Sequence, residues 1–155
     1  MLLNVPNVRQ RQQADCLAAC AQMVLTYLGE QVDYNRLLRI LDTTENGTPF
    51  SNIRRLTSLG LFVEQDEYID DLTLVAHYLD LRLPIIIGVK TWGLSYWRPI
   101  DTNHAVVIVG LSDSDIYIND PAFDEAPKVI KEDDFLYAWL GHDFRYAIIG
   151  LIAPG

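Results

Sequence analysis

The sequence predicts an α+β domain in which a helical first half packs against a mostly antiparallel sheet. Helical patterns come first along the chain and strand patterns follow, an order typical of this class. Residues 16–28, CLAACAQMVLTYL, are apolar on almost every side and predict a helix enclosed in a core. With 155 residues, of which 50% are hydrophobic and 21% charged, the chain fits a single domain over 1–155.

Capping and stop residues mark the ends of the first helix, and the spacing of apolar residues predicts the remaining elements of the first half of the chain. Asp15 is a candidate N-cap and Gly29 a candidate C-terminal stop. Pro49 is favourable near the first turn of another helix. Further helices are predicted over 32–41, 49–58 and 70–79, and strands over 2–5 and 61–65.

The second half consists mainly of short apolar runs bounded by turn residues, which are typical of strands. These strands are predicted over 84–89, 104–111, 115–120, 127–130 and 144–153. One helix is predicted near 131–140.

The charge balance excludes one class of function. The chain has 12 Lys and Arg against 21 Asp and Glu, a formal net charge of -9. A nucleic-acid-binding protein needs cationic surface to neutralise phosphates, so nucleic acid is not an expected partner. The sequence has no stretch near the roughly 20 apolar residues of a membrane span and no signal-peptide pattern, so we expect a cytoplasmic location.

Three residues form a pattern with chemical meaning: Cys16 begins an apolar helix, His104 opens an apolar strand, and Asp120 closes the next strand. A thiol, an imidazole and a carboxylate are the nucleophile, base and base-orienting group of cysteine-dependent catalysis. The two strands are separated by only three or four residues and should form a hairpin whose paired residue numbers sum to about 224 to 226. His104 and Asp120 therefore share its open end.

The two cysteines have different expected environments. The partial positive charge at a helix N-terminus stabilises a thiolate, and Cys16 occupies that position. Cys20 lies one turn deeper among Ala and Met and should be an inert core thiol. A disulfide within one helical turn is geometrically poor, and two thiols alone make no zinc site.

Acyl transfer also needs hydrogen-bond donors for the oxyanion of a tetrahedral intermediate. The backbone N–H of Cys16 is one candidate donor. The side-chain amides of Gln10, Gln12 and Gln13 are others, and the composition does not choose among them.

The connection 90–103 is long for a compact domain and leads directly into His104, as binding loops often do. Trp92, Tyr96 and Trp97 are candidates for the wall of a peptide groove; the alternative is that they cover the edge of the sheet. His77 and His142 have no partners at metal-ligand spacing and are assigned structural roles.

The segments QADCLAACAQMVLTYLG, HAVVIVG and IYINDP resemble the papain-like bacteriocin-processing peptidases. These double-glycine leader peptidases are best known as N-terminal domains of peptide-exporting ABC transporters. That family has a Gln six residues before its catalytic Cys, and a His and an Asp about sixteen residues apart. The resemblance implies a papain-like fold with Cys16 as nucleophile, His104 as base, Asp120 as orienting group and Gln10 in the oxyanion hole.

Two departures from the family pattern bear on the substrate. Leu17 stands where the family commonly has Gly, and we expect this larger side chain to alter the substrate groove beside the nucleophile. No transmembrane or ATPase segment follows, so we expect a stand-alone domain.

The expected function is a cysteine peptidase that cleaves a peptide or protein substrate without a metal or organic cofactor. Cleavage after a Gly-Gly leader and partnership with an exporter are implied by the resemblance alone. The alternatives are an amidase or transpeptidase on the same scaffold, a non-catalytic peptide-binding domain, and an effector that acts on another organism's protein.

Overall fold

A computed structural model describes residues 1–67 and 72–151. Its α-helices are α1 (Cys16–Tyr27), α2 (Tyr34–Ile40), α3 (Leu72–Asp80) and α4 (Glu132–Leu140). Its strands are β1 (Leu61–Asp66), β2 (Ile85–Lys90), β3 (Asn103–Ser112), β4 (Asp115–Asn119), β5 (Lys128–Lys131) and β6 (Tyr146–Leu151). Short 3-10 helices cover Phe50–Leu59, Thr91–Gly93 and Ser95–Trp97.

The strands form one sheet in the order β1-β6-β2-β3-β4-β5, and every neighbouring pair is antiparallel. The central strands β2 and β3 are apolar without alternation and are buried along almost their whole length. Both α1 and α3 pack on β3, while α4 packs on β2. Because helices cover these central strands, the sequence has continuous apolar runs there instead of a polar face.

Helix α1 lies within the core, as its composition predicts. Its residues from Ala18 to Ala21 are fully buried, as are Met23 and Val24. The helix packs against β3, α2 and the 3-10 helix Phe50–Leu59. The small side chains near its N-terminus allow the helix to approach β3 closely, which brings Cys16 to the start of that strand.

Most of the predicted elements are present, with three differences. The segment predicted as a helix over 49–58 is a 3-10 helix, and the strand predicted over 2–5 is reduced to a bridge between Leu2 and Gly110. Two 3-10 turns occupy the connection 90–103, for which no secondary structure was predicted. Positions 70, 71, 152 and 153 of the predicted elements lie outside the described residues.

None of the helices in the described part of the chain is long and apolar enough to cross a membrane.

Candidate active site

The β3–β4 hairpin brings His104 and Asp120 together at its open end. Its last pairs are Val107 with Asn119 and Ile108 with Ile118, and a bulge shifts the register beyond them. Asp120 follows the last paired residue directly, and the His104 side chain reaches it across the strand end. The distance from His104 Nε2 to Asp120 Oδ1 is 2.7 Å, in agreement with the proximity predicted from the turn length.

The Asp120 carboxylate is fully buried and accepts four hydrogen bonds. Oδ1 accepts from His104 Nε2 at 2.7 Å and from the backbone N–H of Ala122 at 3.0 Å. Oδ2 accepts from the Tyr96 hydroxyl at 2.7 Å and from Trp97 Nε1 at 2.8 Å. Burial alone would raise the pKa of Asp120, but hydrogen bonds and the charge of His104 lower it, so the group stays ionised.

His104 lies between Asp120 and Cys16. Since Nε2 faces Asp120, Nδ1 is the ring nitrogen left to face Cys16. Burial alone would lower the pKa of His104, but the hydrogen bonds to Asp120 and Cys16 and their charges raise it to about 9. The imidazole is therefore protonated at neutral pH in this arrangement.

Cys16 is the first residue of α1 and is partly exposed. Asp15 occupies the N-cap position, but the predicted capping bond is absent. Its carboxylate instead accepts from the backbone N–H of Gln12 and from the Tyr34 hydroxyl, both at 3.1 Å. Cys20 is fully buried, and burial is the largest cause that raises the pKa of its thiol, as expected for a core cysteine.

Gln10 holds the loop that precedes Cys16. Its Nε2 donates to the backbone carbonyls of Gln12 at 3.0 Å and Gln13 at 3.1 Å, and its backbone N–H donates to the carbonyl of Pro121 at 2.8 Å. The last bond links the loop to the residue after Asp120. The buried Oε1 of Gln10 has no hydrogen-bond partner within residues 1–67 and 72–151.

Cys16 and His104 open onto a cavity of about 720 Å³. The turn around Thr44 to Gly47 and the start of β3 both line it. The lining residues are Gln13, Ala14, Cys16, Leu17, Thr44, Glu45, Asn46, Gly47, Thr48, Pro49, Phe50, Thr102, Asn103, His104, Ala105, His142 and Arg145. Leu17, predicted to shape the groove, is among them although only 2% of it is exposed.

The three aromatic residues predicted as a groove wall do not line this cavity. Tyr96 and Trp97 face the Asp120 carboxylate, which binds their polar atoms. Trp92 is 43% exposed, and the guanidinium of Arg98 lies 5.6 Å from the centre of its ring. The structure does not support a groove wall built from Tyr96 and Trp97.

His142 lines the cavity, although the sequence predicted a structural role for it. Burial is the largest cause that lowers the pKa of its imidazole, and its ring lies 6.2 Å from that of Phe50. A Cβ at Gly88 would come within 2.6 Å of His142 Nδ1. Gly88 inside the apolar run of β2 is the sequence signal for this close approach, since a strand glycine often marks one. His77, also assigned a structural role, is exposed on α3.

Comparison with known protein families gives a match over most of the chain. The model of the Peptidase C39 family matches residues 4–143. The chain belongs to the Peptidase C39 family. This membership agrees with the resemblance noted in the sequence and identifies the chain as a peptidase family member.

Solved structures of similar fold cover nearly all of this C39 family member. A candidate C39-like peptidase from Bacillus anthracis has 15% identity and a TM-score of 0.80, with 99% of this chain and 98% of that chain covered. The peptidase domain of Streptococcus ComA, a bifunctional ABC transporter involved in quorum sensing, has 21% identity and a TM-score of 0.77, with 96% and 100% covered. A double glycine motif protease from an AMS/PCAT transporter, solved with its leader peptide, has 22% identity and a TM-score of 0.74, with 97% and 94% covered.

These structures confirm the predicted papain-like α+β fold. A search of curated proteins found no match.

Proposed function

We propose that this C39 family member is a cysteine peptidase with Cys16 as nucleophile, His104 as base and Asp120 as the group that orients the base. The observation that carries the proposal is the series Asp120, His104 and Cys16, in which His104 Nε2 lies 2.7 Å from Asp120 Oδ1 and His104 lines the same cavity as Cys16. The series ends at a cavity large enough to admit part of a peptide.

The first half of the reaction forms an acyl-enzyme. His104 takes the proton of the Cys16 thiol, and the Asp120 carboxylate stabilises the imidazolium that forms beside the thiolate. The sulfur attacks the peptide carbonyl carbon, and the carbonyl oxygen becomes an oxyanion. When the tetrahedral intermediate collapses, the C–N bond breaks and His104 gives its proton to the leaving amine.

The second half releases the acyl group. Neutral His104 takes a proton from water, the resulting hydroxide attacks the thioester, and the C–S bond breaks. The carboxylic acid product leaves, and the thiolate and imidazolium are restored. Asp120 remains ionised throughout and holds Nε2–H, so that Nδ1 faces the sulfur.

We assign oxyanion stabilisation to the backbone N–H of Cys16 and the side-chain amide of Gln10. Both N–H groups of the Gln10 amide donate to backbone carbonyls of its own loop. One of these bonds must therefore open for Gln10 to reach an oxyanion. Gln13, which lines the cavity, is the alternative donor.

The proposed substrate is a peptide or protein cleaved after a Gly-Gly leader, with a peptide exporter as partner. Support comes from the family resemblance and from the fold neighbours, one of which is a double glycine motif protease in complex with a leader peptide. Leu17 beside Cys16 reduces the space next to the nucleophile, which favours substrate residues with little or no side chain. The cytoplasmic location expected from the sequence stays a prediction.

A matched set of peptides tests the proposal. Peptides that differ only in a central Gly-Gly, Ala-Ala or Leu-Leu pair are incubated with wild-type protein, and the products are sequenced by mass spectrometry. We expect a new N-terminus after Gly-Gly, complete loss of cleavage in Cys16→Ala, and retained cleavage in the control Cys20→Ala. An amine-exchanged product would indicate a transferase instead. Peptide binding without cleavage, unchanged in Cys16→Ala, would indicate a non-catalytic binding domain.

A further inference from the structure

We infer that Tyr96 and Trp97 are positioning residues, which together hold the Asp120 carboxylate in the orientation that presents Oδ1 to His104. The inference deepens the proposed function and rests on it, because it assigns residues that act on the catalytic pair through Asp120. It also gives the connection 90–103 a specific role, the delivery of two hydrogen-bond donors to the far side of the site.

The two oxygens of the Asp120 carboxylate have different hydrogen-bond partners. Tyr96 and Trp97 donate to Oδ2 at 2.7 and 2.8 Å, the oxygen that His104 does not contact. Rotation of the carboxylate about its Cβ–Cγ bond would break both of these bonds at once. Two donors on one oxygen therefore fix the direction in which the other oxygen accepts from His104.

Burial makes these donors difficult to replace. No part of Asp120 is exposed, so without its protein partners Oδ2 would be a buried charged atom with no hydrogen bond. Burial and the negative charge of Asp120 raise the pKa of Tyr96, so its hydroxyl keeps its proton and remains a donor. Trp97 Nε1 can only donate, and so its role does not change with pH.

A cluster of aromatic rings holds the two donors in place. Phe123 packs edge-on against Tyr96 at 5.0 Å and against Trp97 at 5.5 Å between ring centres. The ammonium of Lys128 lies 5.0 Å from the Tyr96 ring centre and 4.9 Å from that of Phe123. This packing restricts the side-chain torsions of both donors and keeps water from Asp120.

The two residues differ in their contact with His104. The centre of the Trp97 ring lies 4.8 Å from the centre of the His104 imidazole, at an interplanar angle of 59°. Tyr96 instead donates its hydrogen bond to the Asp120 carboxylate. Indole faces attract cations, so Trp97 also stabilises the protonated form of His104. Trp97→Phe retains a ring beside the imidazole but removes the N–H, and Tyr96→Phe removes only the hydroxyl.

The local backbone holds the two neighbouring donors near one oxygen. Both lie in the 3-10 turn Ser95–Trp97, and their long aromatic side chains bring the Tyr96 hydroxyl and Trp97 Nε1 to Asp120 Oδ2. Leu94, directly before the turn, is fully buried, and its carbonyl accepts from the Trp97 N–H at 2.9 Å. The turn is thus fixed to the core from which it extends.

The test is a double-mutant cycle through Asp120. Tyr96→Phe and Trp97→Phe are made in the wild type and in Asp120→Asn, and kcat and KM are measured on a cleaved peptide. We expect each single change to lower kcat about tenfold, with KM within twofold, and to have no further effect in Asp120→Asn. Equal losses in both backgrounds would overturn the inference, because they would mean that the residues act on general stability.

A second measurement needs no substrate. The proton on His104 Nε2 is followed by NMR, with assignment from its absence in His104→Gln. We expect its resonance to shift or broaden in Tyr96→Phe and Trp97→Phe, and to be unchanged in Tyr137→Phe, a matched control at a position that is 60% exposed on α4. An unchanged resonance in both site variants would overturn the inference. If the protein cleaves no peptide but the His104 resonance still changes in the two site variants, the proposed function is refuted and the positioning role stands.

Discussion

At the scale of single residues, the candidate site depends on two charged groups in a place where burial opposes charge. Asp120 is fully buried and His104 is 6% exposed. Each is stabilised as an ion by the other and by further hydrogen bonds, so the pKa of the carboxyl falls and that of the imidazole rises. Loss of either partner should therefore change the titration of the remaining one.

The pH dependence of Asp120→Asn tests this coupling. Protonated His104 is required for the thiolate–imidazolium pair, and its pKa of about 9 places the alkaline decline of kcat/KM near that pH. Removal of the carboxylate charge destabilises the imidazolium, so the decline should move to lower pH and the rate should fall roughly a hundredfold or more. The profile is measured on a Gly-Gly peptide between pH 5 and pH 10. An alkaline decline at the same pH in both proteins would contradict the coupling.

The donor for the oxyanion is tested by Gln10→Ala. Loss of one oxyanion donor lowers kcat by roughly a hundredfold to a thousandfold in other acyl-transfer enzymes, and we expect a loss of this size with little change in KM. The exposed neighbour Gln12 supplies the control Gln12→Ala, measured under the same conditions. A larger loss in Gln13→Ala than in Gln10→Ala would transfer the role to the residue that lines the cavity.

At the scale of secondary-structure elements, α2 supports the loop that leads to the nucleophile. Tyr34 is 2% exposed, and its hydroxyl donates to Asp15 at 3.1 Å and accepts from the backbone N–H of Arg11 at 3.3 Å. Asp15 in turn accepts from the backbone N–H of Gln12. One hydroxyl of α2 therefore connects two points of the loop between Gln10 and α1.

Tyr34→Phe should destabilise this loop. The change leaves the buried Asp15 carboxylate with one donor fewer, at an expected cost of about 1–3 kcal/mol in the free energy of unfolding. Urea unfolding gives the change, with Tyr117→Phe as control at a half-buried position on β4. Equal stability of the two variants would contradict a role of Tyr34 in the loop.

Elements with strong local signals were predicted well, and those determined by distant contacts were not. The apolar runs of β2 and β3 and the ends of α1 follow from nearby residues. The segment Phe50–Leu59 was expected to be an α-helix, yet its buried residues Phe50, Ile53 and Leu56 recur every third position, the repeat of a 3-10 helix. The register shift after Ile108 has no such signal, because strand alternation does not show an inserted residue.

The same distinction applies to the candidate site. A hairpin turn and a helix start are local features, and they were sufficient to predict that His104 meets Asp120 and that Cys16 lies at a helix N-terminus. The path of the connection 90–103 depends on tertiary packing, which the sequence does not show. Tyr96 and Trp97 were therefore predicted to line a groove, whereas both donate hydrogen bonds to Asp120. The cavity walls at residues 44–49 and at His142 come from distant parts of the chain.

At the scale of the whole molecule, the position of Cys16 depends on how closely α1 packs in the core. Ala19 is fully buried, whereas Thr26 on the same helix is exposed. A larger side chain in a closely packed interior forces neighbouring groups apart at a cost of about 1–3 kcal/mol.

Ala19→Leu should therefore lower the free energy of unfolding by about that amount, and displacement of α1 should also slow any reaction of Cys16. The control Thr26→Leu introduces the same side chain at the exposed position and should be close to neutral. Both are measured by urea unfolding, and a neutral Ala19→Leu would contradict close packing of α1.

Alkylation of the two thiols by iodoacetamide measures whether His104 activates Cys16. The rates at Cys16 and Cys20 are followed by mass spectrometry between pH 6 and pH 8 in wild type and in His104→Ala. We expect rapid reaction of Cys16 in the wild type, little reaction of the buried Cys20, and a fall of at least tenfold in the Cys16 rate in His104→Ala. Slow, equal labelling of both thiols, or a Cys16 rate independent of His104, would contradict this activation.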